Sequence, residues 1–219
     1  MVNLVFDYDG TLHDCMKIYA PAFRRMYDHM VSQGWAEDRT FTDRDISRWL
    51  GFPAKEMWEG FAPHLAPEKQ AVCSRMIGEH MLAQIAQGHA RLYPGIPEVL
   101  FQLKESGFRL IFLSNCKHAY MQAHREHFQL DRFFSGFYCG EDHGWKRKVE
   151  IFLTIKQHFD GDFVIIGDRL QDMEIAQQHN LPAIGCGYGY GTPEELSKAN
   201  YIARSPNELV EFAKIVCSK

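Results

Sequence analysis

Two aspartates, Asp7 and Asp9, close an apolar run that begins at Val2, and Gly10 and Thr11 follow them as a turn. Val2 to Phe6 reads as a short buried strand, so both carboxylates fall at its carboxyl end, where open parallel sheets bind ligands. An extended pitch carried through this stretch projects Asp7 and Asp9 to one side and Tyr8 to the other. Carboxylates held close together repel unless a cation or a shared proton lies between them, and an oxygen-only pair suits a hard ion such as Mg2+. An acid-rich turn taken alone is better explained by Asx turns. The rest of the chain decides between the two.

Two further apolar runs end in polar residues. Arg109 to Leu113 stops at Ser114-Asn115, and Phe163 to Ile166 stops at Gly167-Asp168. In a parallel sheet all three endings share one edge. Asp168 and Asp172 lie four apart where strand gives way to helix, so both can face one point and complete a carboxylate set with Asp7. Lys146-Arg147-Lys148 precedes a helix beginning near Val149. A cation at a helix amino terminus opposes the dipole and needs either solvent or an anion, and beside four carboxylates and a magnesium ion a phosphate-contacting lysine is favoured.

The elements that would position these groups follow from periodicity. From Asp14 to about Gly88 the pattern is helical throughout, with Ala22, Phe23, Met26, Tyr27 and Met30 at helical spacing. Further helices start after Thr42, at Pro53 and at Pro67. The Met and aromatic stripes read as bundle core. Beyond Leu92-Tyr93-Pro94-Gly95 come helices at 97–105, 118–127, 149–158 and 171–180, alternating with strands at 109–113, 136–139, 163–166 and 182–185. Thr192-Pro193-Glu194-Glu195 and Ser205-Pro206-Asn207-Glu208 each predict a capped helix. The expected fold is α/β: a Rossmann-like parallel sheet core, residues 1–14 and 92–219, with an all-helical insertion at 15–91.

Composition narrows the function classes. A chain of 219 residues with 46% apolar and 24% charged residues is ordinary for a globular protein, and a net charge of −4 provides no basic footprint for nucleic acid. No run is long enough to span a membrane, and no secretory leader pattern opens the chain, so a cytoplasmic protein is expected. Six cysteines at 15, 73, 116, 139, 186 and 217 show no CxxC spacing, which argues against a disulfide framework and a zinc site.

Taken in order, these residues resemble the haloacid dehalogenase-like hydrolase superfamily over the whole chain. Its first motif, DxDGT, corresponds to Asp7-Tyr8-Asp9-Gly10-Thr11, its second to Ser114, and its fourth to Gly167-Asp168 with Asp172. The insertion resembles the family's C1-type cap. The Leu-Tyr-Pro-Gly turn at 92–95 and Gly-Tyr-Gly at 189–191 are similar to phosphoglycolate phosphatase-type enzymes. The third motif departs from the pattern. One alignment makes Lys146 the catalytic lysine and a shorter form makes it Lys148, the preferred reading because of the Gly-Asp-Arg at 167–169. Arg169 is unusual, and reads as a surface pairing or a second anion contact.

The resemblance implies phosphoryl transfer. Asp7 would attack phosphorus, and Mg2+ would be held by Asp7, the Asp9 carbonyl and Asp168, with Asp172 positioning the metal or its waters. Asp9 would act as acid and then base. Gly10, Thr11, Ser114, Asn115 and the lysine would contact the phosphoryl group. The implied substrate is a small phosphorylated metabolite and the implied assembly a monomer or homodimer, without nucleic acid or membrane. Within the cap, Phe52 and Lys55 are either specificity residues or, respectively, core and solvated surface. A sugar phosphomutase and a non-catalytic phosphate-binding protein are the alternatives.

Overall fold

The computed structural model describes residues 1–52 and 54–217, and the Cys217 side chain is not described. The helix start expected at Pro53 therefore lies outside the described residues. The chain divides into two compact units, Met1–Asp14 with Leu92–Lys219, and Cys15–Arg91.

The first unit is α/β. Its strands are β1 (Val2–Phe6), β2 (Arg109–Ser114), β3 (Phe134–Cys139), β4 (Asp162–Gly167), β5 (Ala183–Cys186) and β6 (Tyr201–Ala203), and its helices, numbered after the four of the second unit, are α5 (Ile96–Glu105), α6 (His118–His127), α7 (Lys148–His158), α8 (Leu170–His179) and α9 (Glu208–Cys217). They form one parallel sheet in the order β3-β2-β1-β4-β5-β6. Such an order reverses direction between β1 and β4, and the carboxyl ends of those strands open the crevice where ligands bind. Phe6 pairs with Phe112 on one side and Ile166 on the other, which puts the residues after β1, β2 and β4 side by side.

Strands covered on both faces read as continuous apolar runs, and β1, β2 and β4 are buried from their second residue onward. Val5, Ile111, Leu113, Phe163 and Ile165 share one face with Phe152 and Ile155 of α7 (Lys148–His158) and Met173 and Ala176 of α8 (Leu170–His179). Burial of this kind stabilises by about 25 cal/mol per Å2 of apolar surface, which is what holds the two site-bearing helices to the sheet.

The second unit holds α1 (Met16–Ser32), α2 (Asp43–Ser47), α3 (Ala54–Phe61) and α4 (Pro67–Ala86). α1 packs along α4 and buries the stripe Ala22, Phe23, Met26, Tyr27 and Met30. Phe23 meets Phe61 edge-on at 5.1 Å between centroids and Tyr27 meets Phe41 at 4.7 Å, so the aromatic stripe is core. Thr42 caps α2 through a reciprocal pair with Asp45. No helix among the described residues is long and apolar enough to cross a membrane.

One local expectation is corrected. The segment after Thr192 is a run of turns, not a helix. Thr192 and Glu195 do make the reciprocal cap bonds, but Glu195 also accepts from Arg169, and Asn200 N–H donates to the Ala183 carbonyl at 2.8 Å, returning the chain to the sheet after barely a turn. It then enters β6, a three-residue edge strand too short for a periodic signal.

Candidate active site

Asp7 follows β1 directly, and its N–H still donates to the Ile166 carbonyl at 2.8 Å, so the nascent ladder fixes its position. Asp168 follows β4 and is fully buried. Asp172 is the third residue of α8, where its Oδ2 accepts the Arg169 N–H at 3.1 Å as a cap. The oxygens of Asp7, Asp168 and Asp172 come within 4.8 Å of one another.

Lys148, the first residue of α7, reaches into this group. Its Nζ is 2.6 Å from Asp7 Oδ1 and donates to Asp172 Oδ1 at 2.7 Å, and it is 4% exposed. Burial opposes the charge of Lys148, but Asp172 and Asp7 outweigh it and hold its pKa above the ordinary lysine value. Burial, and then repulsion from Asp172 and Asp168 against the attraction of Lys148, raises the Asp7 pKa. Asp168 is pushed up to about 7 by burial and by Asp172. One lysine thus faces three carboxylates, and their repulsion is what a divalent cation would relieve. Three buried, converging, oxygen-only donors suit Mg2+, so the residues fit the ion that the motif implies.

Gly10 allows the approach of the turn to this cluster. It sits at φ +87°, and a Cβ there would come 2.2 Å from Asp168 Oδ2. Thr11, wholly buried, donates from Oγ1 to Asp168 Oδ1 at 3.4 Å, while the Tyr190 N–H donates to its Oδ2 at 2.7 Å. Tyr188 donates to the Thr11 carbonyl and Tyr190 to Asp14, so the Gly-Tyr-Gly segment clamps the first turn. Ser114 is buried at the end of β2, and Asn115, half-buried, follows it.

Asp9 has side-chain partners of its own. The extended pitch ends at Phe6, and the Asp9 carboxylate lies outside the Asp7–Asp168–Asp172 set. Its Oδ1 is 2.8 Å from His13 Nδ1 and accepts from the Tyr120 hydroxyl at 2.8 Å. The part expected of Asp9 at the metal is through its carbonyl, which these side-chain bonds leave free to take it. His13, Tyr120 and, behind them, the Tyr8–His124 bond at 2.8 Å carried no motif in the sequence. Only the i,i+4 relation of Asp9 and His13 hinted at a pairing.

The remaining candidates are dispersed. Lys146 is exposed in the turn before α7. Arg169 is buried and paired through Nε with Glu195 at 3.0 Å, so it is neither a surface pairing nor turned to solvent. Phe52 is half-buried in the helical unit, and Lys55 lies exposed on α3.

Residues 4–186 match the family described as haloacid dehalogenase-like hydrolase, and the chain belongs to that family. It is similar to the phosphoglycolate phosphatase of Synechococcus elongatus, 25% identical with 96% of each chain covered. It is also similar to pyrophosphatase PpaX of Listeria monocytogenes, 24% identical over 90% of this chain and 88% of the relative. In structure it is similar to a predicted phosphatase from Clostridium acetobutylicum, with a TM-score of 0.82, 24% identity, and coverage of 97% and 98%, a likeness that speaks to the fold. The chain is accordingly a phosphatase-like hydrolase with an α/β core.

Proposed function

We propose that this hydrolase is a Mg2+-dependent phosphatase that cleaves a small phosphate monoester of the phosphoglycolate kind through an aspartyl phosphate on Asp7. The observation that carries the reading is the contact between Asp7 and Lys148 inside a buried three-carboxylate cluster. Lys148 favours the ionised, nucleophilic form of Asp7 against burial and against two neighbouring acids. Asp7 attacks phosphorus and the bond to the ester oxygen breaks, with Asp9 giving its proton to the leaving oxygen. Asp9 then takes a proton from water, which attacks the phosphoryl group and frees Asp7. Lys148, Ser114 and the Thr11 and Asn115 segments hold the phosphoryl oxygens where charge accumulates. Asp7 and Asp168 would hold Mg2+, with the Asp9 carbonyl, and Asp172 would orient it; bound there, the ion offsets repulsion between carboxylate and phosphate.

The helical unit Cys15–Arg91 serves in this reading as the cap that selects the leaving group, in the cytoplasm, as monomer or homodimer. Free thiols at the five described cysteines are in keeping with a reducing compartment. The test is a panel of phosphoglycolate, sugar phosphates, a 5′-nucleotide and pyrophosphate, assayed with wild type and Asp7→Asn. Phosphate release that needs Mg2+ and disappears in Asp7→Asn is expected. Turnover that survives Asp7→Asn rejects the nucleophile, and isomerised sugar phosphate without net release favours the mutase.

A further inference from the structure

A second mixed cluster lies on the same sheet edge, built from residues the proposed mechanism does not use. Cys116 follows β2 and Cys139 ends β3, and the parallel register sets Ser114 opposite Cys139. Sequence spacing hid this pair because 22 residues separate the two cysteines, whereas the crossover returns them to neighbouring strand ends. The Cys139 sulfur lies close to the Asp142 carboxylate. His118, the first residue of α6 (His118–His127), puts Nδ1 2.9 Å from Asp142 Oδ2. One donor atom each from His118, Cys139 and Asp142 falls within 4.8 Å of the others.

The frame around these donors is fixed by backbone bonds. Gly140 N–H donates to the Ser114 carbonyl at 2.9 Å and Glu141 N–H to the Cys116 carbonyl at 3.3 Å, which ties the two strand-end loops together. The His118 N–H donates to Glu141 Oε2 at 2.8 Å, and His143 Nδ1 lies 3.0 Å from the Cys139 carbonyl. Both sulfurs are buried while His118 and Asp142 are exposed, so the cluster has an inner thiol wall and an open entry.

We propose that Cys139, His118 and Asp142, with the fourth position left to water, form a binding site for a zinc-class divalent cation. The donor chemistry separates this site from the all-oxygen cluster: sulfur and imidazole select borderline ions, whereas Mg2+ takes oxygen alone. Tetrahedral zinc bonds of about 2.0–2.3 Å put ligand atoms roughly 3.3–3.8 Å apart, a small contraction of what is present. Binding replaces the proton between His118 and Asp142 and releases that of the Cys139 thiol. The site would brace the loops that follow Ser114, and it does not depend on the phosphatase reading.

The test is a Co2+ titration of untagged, reduced protein with Mg2+ in large excess. One equivalent should produce thiolate-to-cobalt charge transfer with the intense visible bands of a tetrahedral ion, and Zn2+ should bleach them. Cys139→Ser should remove the charge-transfer band, and His118→Ala and Asp142→Asn should each weaken binding about tenfold or more. Asp168→Asn should leave the bands intact, because it alters only the carboxylate cluster. The proposal is overturned if no such bands form, or if Cys139→Ser keeps them. Oxidation of Cys116 and Cys139 to a disulfide, with no cobalt bands in the reduced protein, would equally overturn it and make the pair a redox device.

Discussion

Tyr120 donates its hydroxyl hydrogen to the same oxygen of Asp9, Oδ1, that His13 Nδ1 meets, both at 2.8 Å. The proposed acid–base residue is therefore held by two partners from different parts of the chain, and its free oxygen is the one that can face a leaving group. Removing a partner leaves Asp9 chemically intact and positionally loose. Tyr120→Phe should lower kcat by about tenfold to a hundredfold with little change in KM, since misplacement of about 1 Å costs that much. An unchanged kcat with raised KM would mean that Tyr120 serves binding instead.

Lys148 and Lys146 differ in what they touch. Lys148 is the buried counter-charge of Asp7 and Asp172, whereas Lys146 is exposed. Lys148→Met should reduce turnover by about a hundredfold or more and destabilise the apo protein by roughly 3–5 kcal/mol, because buried carboxylates lose their partner. Lys146→Ala should stay within about 0.5 kcal/mol in stability and change turnover modestly. Steady-state kinetics and urea unfolding of both variants decide it, and the reverse ranking would transfer the role to Lys146.

Gly10→Ala tests the carboxylate cluster from its backbone side. A methyl group at φ +87° is strained, and it would press on Asp168. The Mg2+ concentration for half-maximal activity should rise about tenfold or more while circular dichroism stays native. An unaltered Mg2+ dependence would remove Asp168 from the proposed metal site.

Burial, with His13 and His127 nearby, holds the His124 pKa far below the ordinary histidine value. The ring lies among Tyr8, His13, Tyr120 and Phe128. Because the folded pKa is depressed, the unfolded chain takes up this proton first as pH falls. The stability is fully present above about 6.5, the unfolded value, and drains by up to about 1.4 kcal/mol per pH unit below it. His124→Gln can still hydrogen-bond with the Tyr8 hydroxyl and does not titrate, so its unfolding free energy should fall less steeply between pH 6.5 and 5. Parallel curves for the two proteins would contradict this assignment.

The α/β order and the strand ends were legible because a sheet buried on both faces leaves unbroken apolar runs that stop where Asp7, Ser114 and Asp168 begin. Asp172 was legible through its four-residue spacing from Asp168. The seating of the Asp9 carboxylate against His13 and Tyr120 was not legible, because alternation holds only while the strand continues and β1 ends at Phe6. The Tyr120 contact and the pairing of Cys116 with Cys139 depend on how a parallel sheet returns the chain, and no local spacing encodes that. The missing helix after Thr192 shows the converse: its cap bonds form, but the contact of Glu195 with Arg169 and the entry into β6 override the local propensity.

Lys55 is suited to a test of the helical unit as a substrate-selecting cap. Its side chain is 87% exposed, with Nζ 3.9 Å from Glu59 Oε1. A pair this exposed contributes about 0–1 kcal/mol, so Lys55→Ala should leave thermal unfolding nearly unchanged. Any kinetic effect must then come from a contact made with substrate. If Lys55 reads a carboxylate on the leaving group, its loss should reduce kcat/KM for phosphoglycolate by about tenfold or more, the worth of one hydrogen bond to a charged group. Acetyl phosphate, whose leaving group becomes that carboxylate only on cleavage, should be hydrolysed at nearly the wild-type rate. Phe52→Ala should shift the same ratio, but because Phe52 is half-buried it should also lower the unfolding temperature. Uniform loss across both substrates in Lys55→Ala would show that the residue supports the cap's structure and reads nothing.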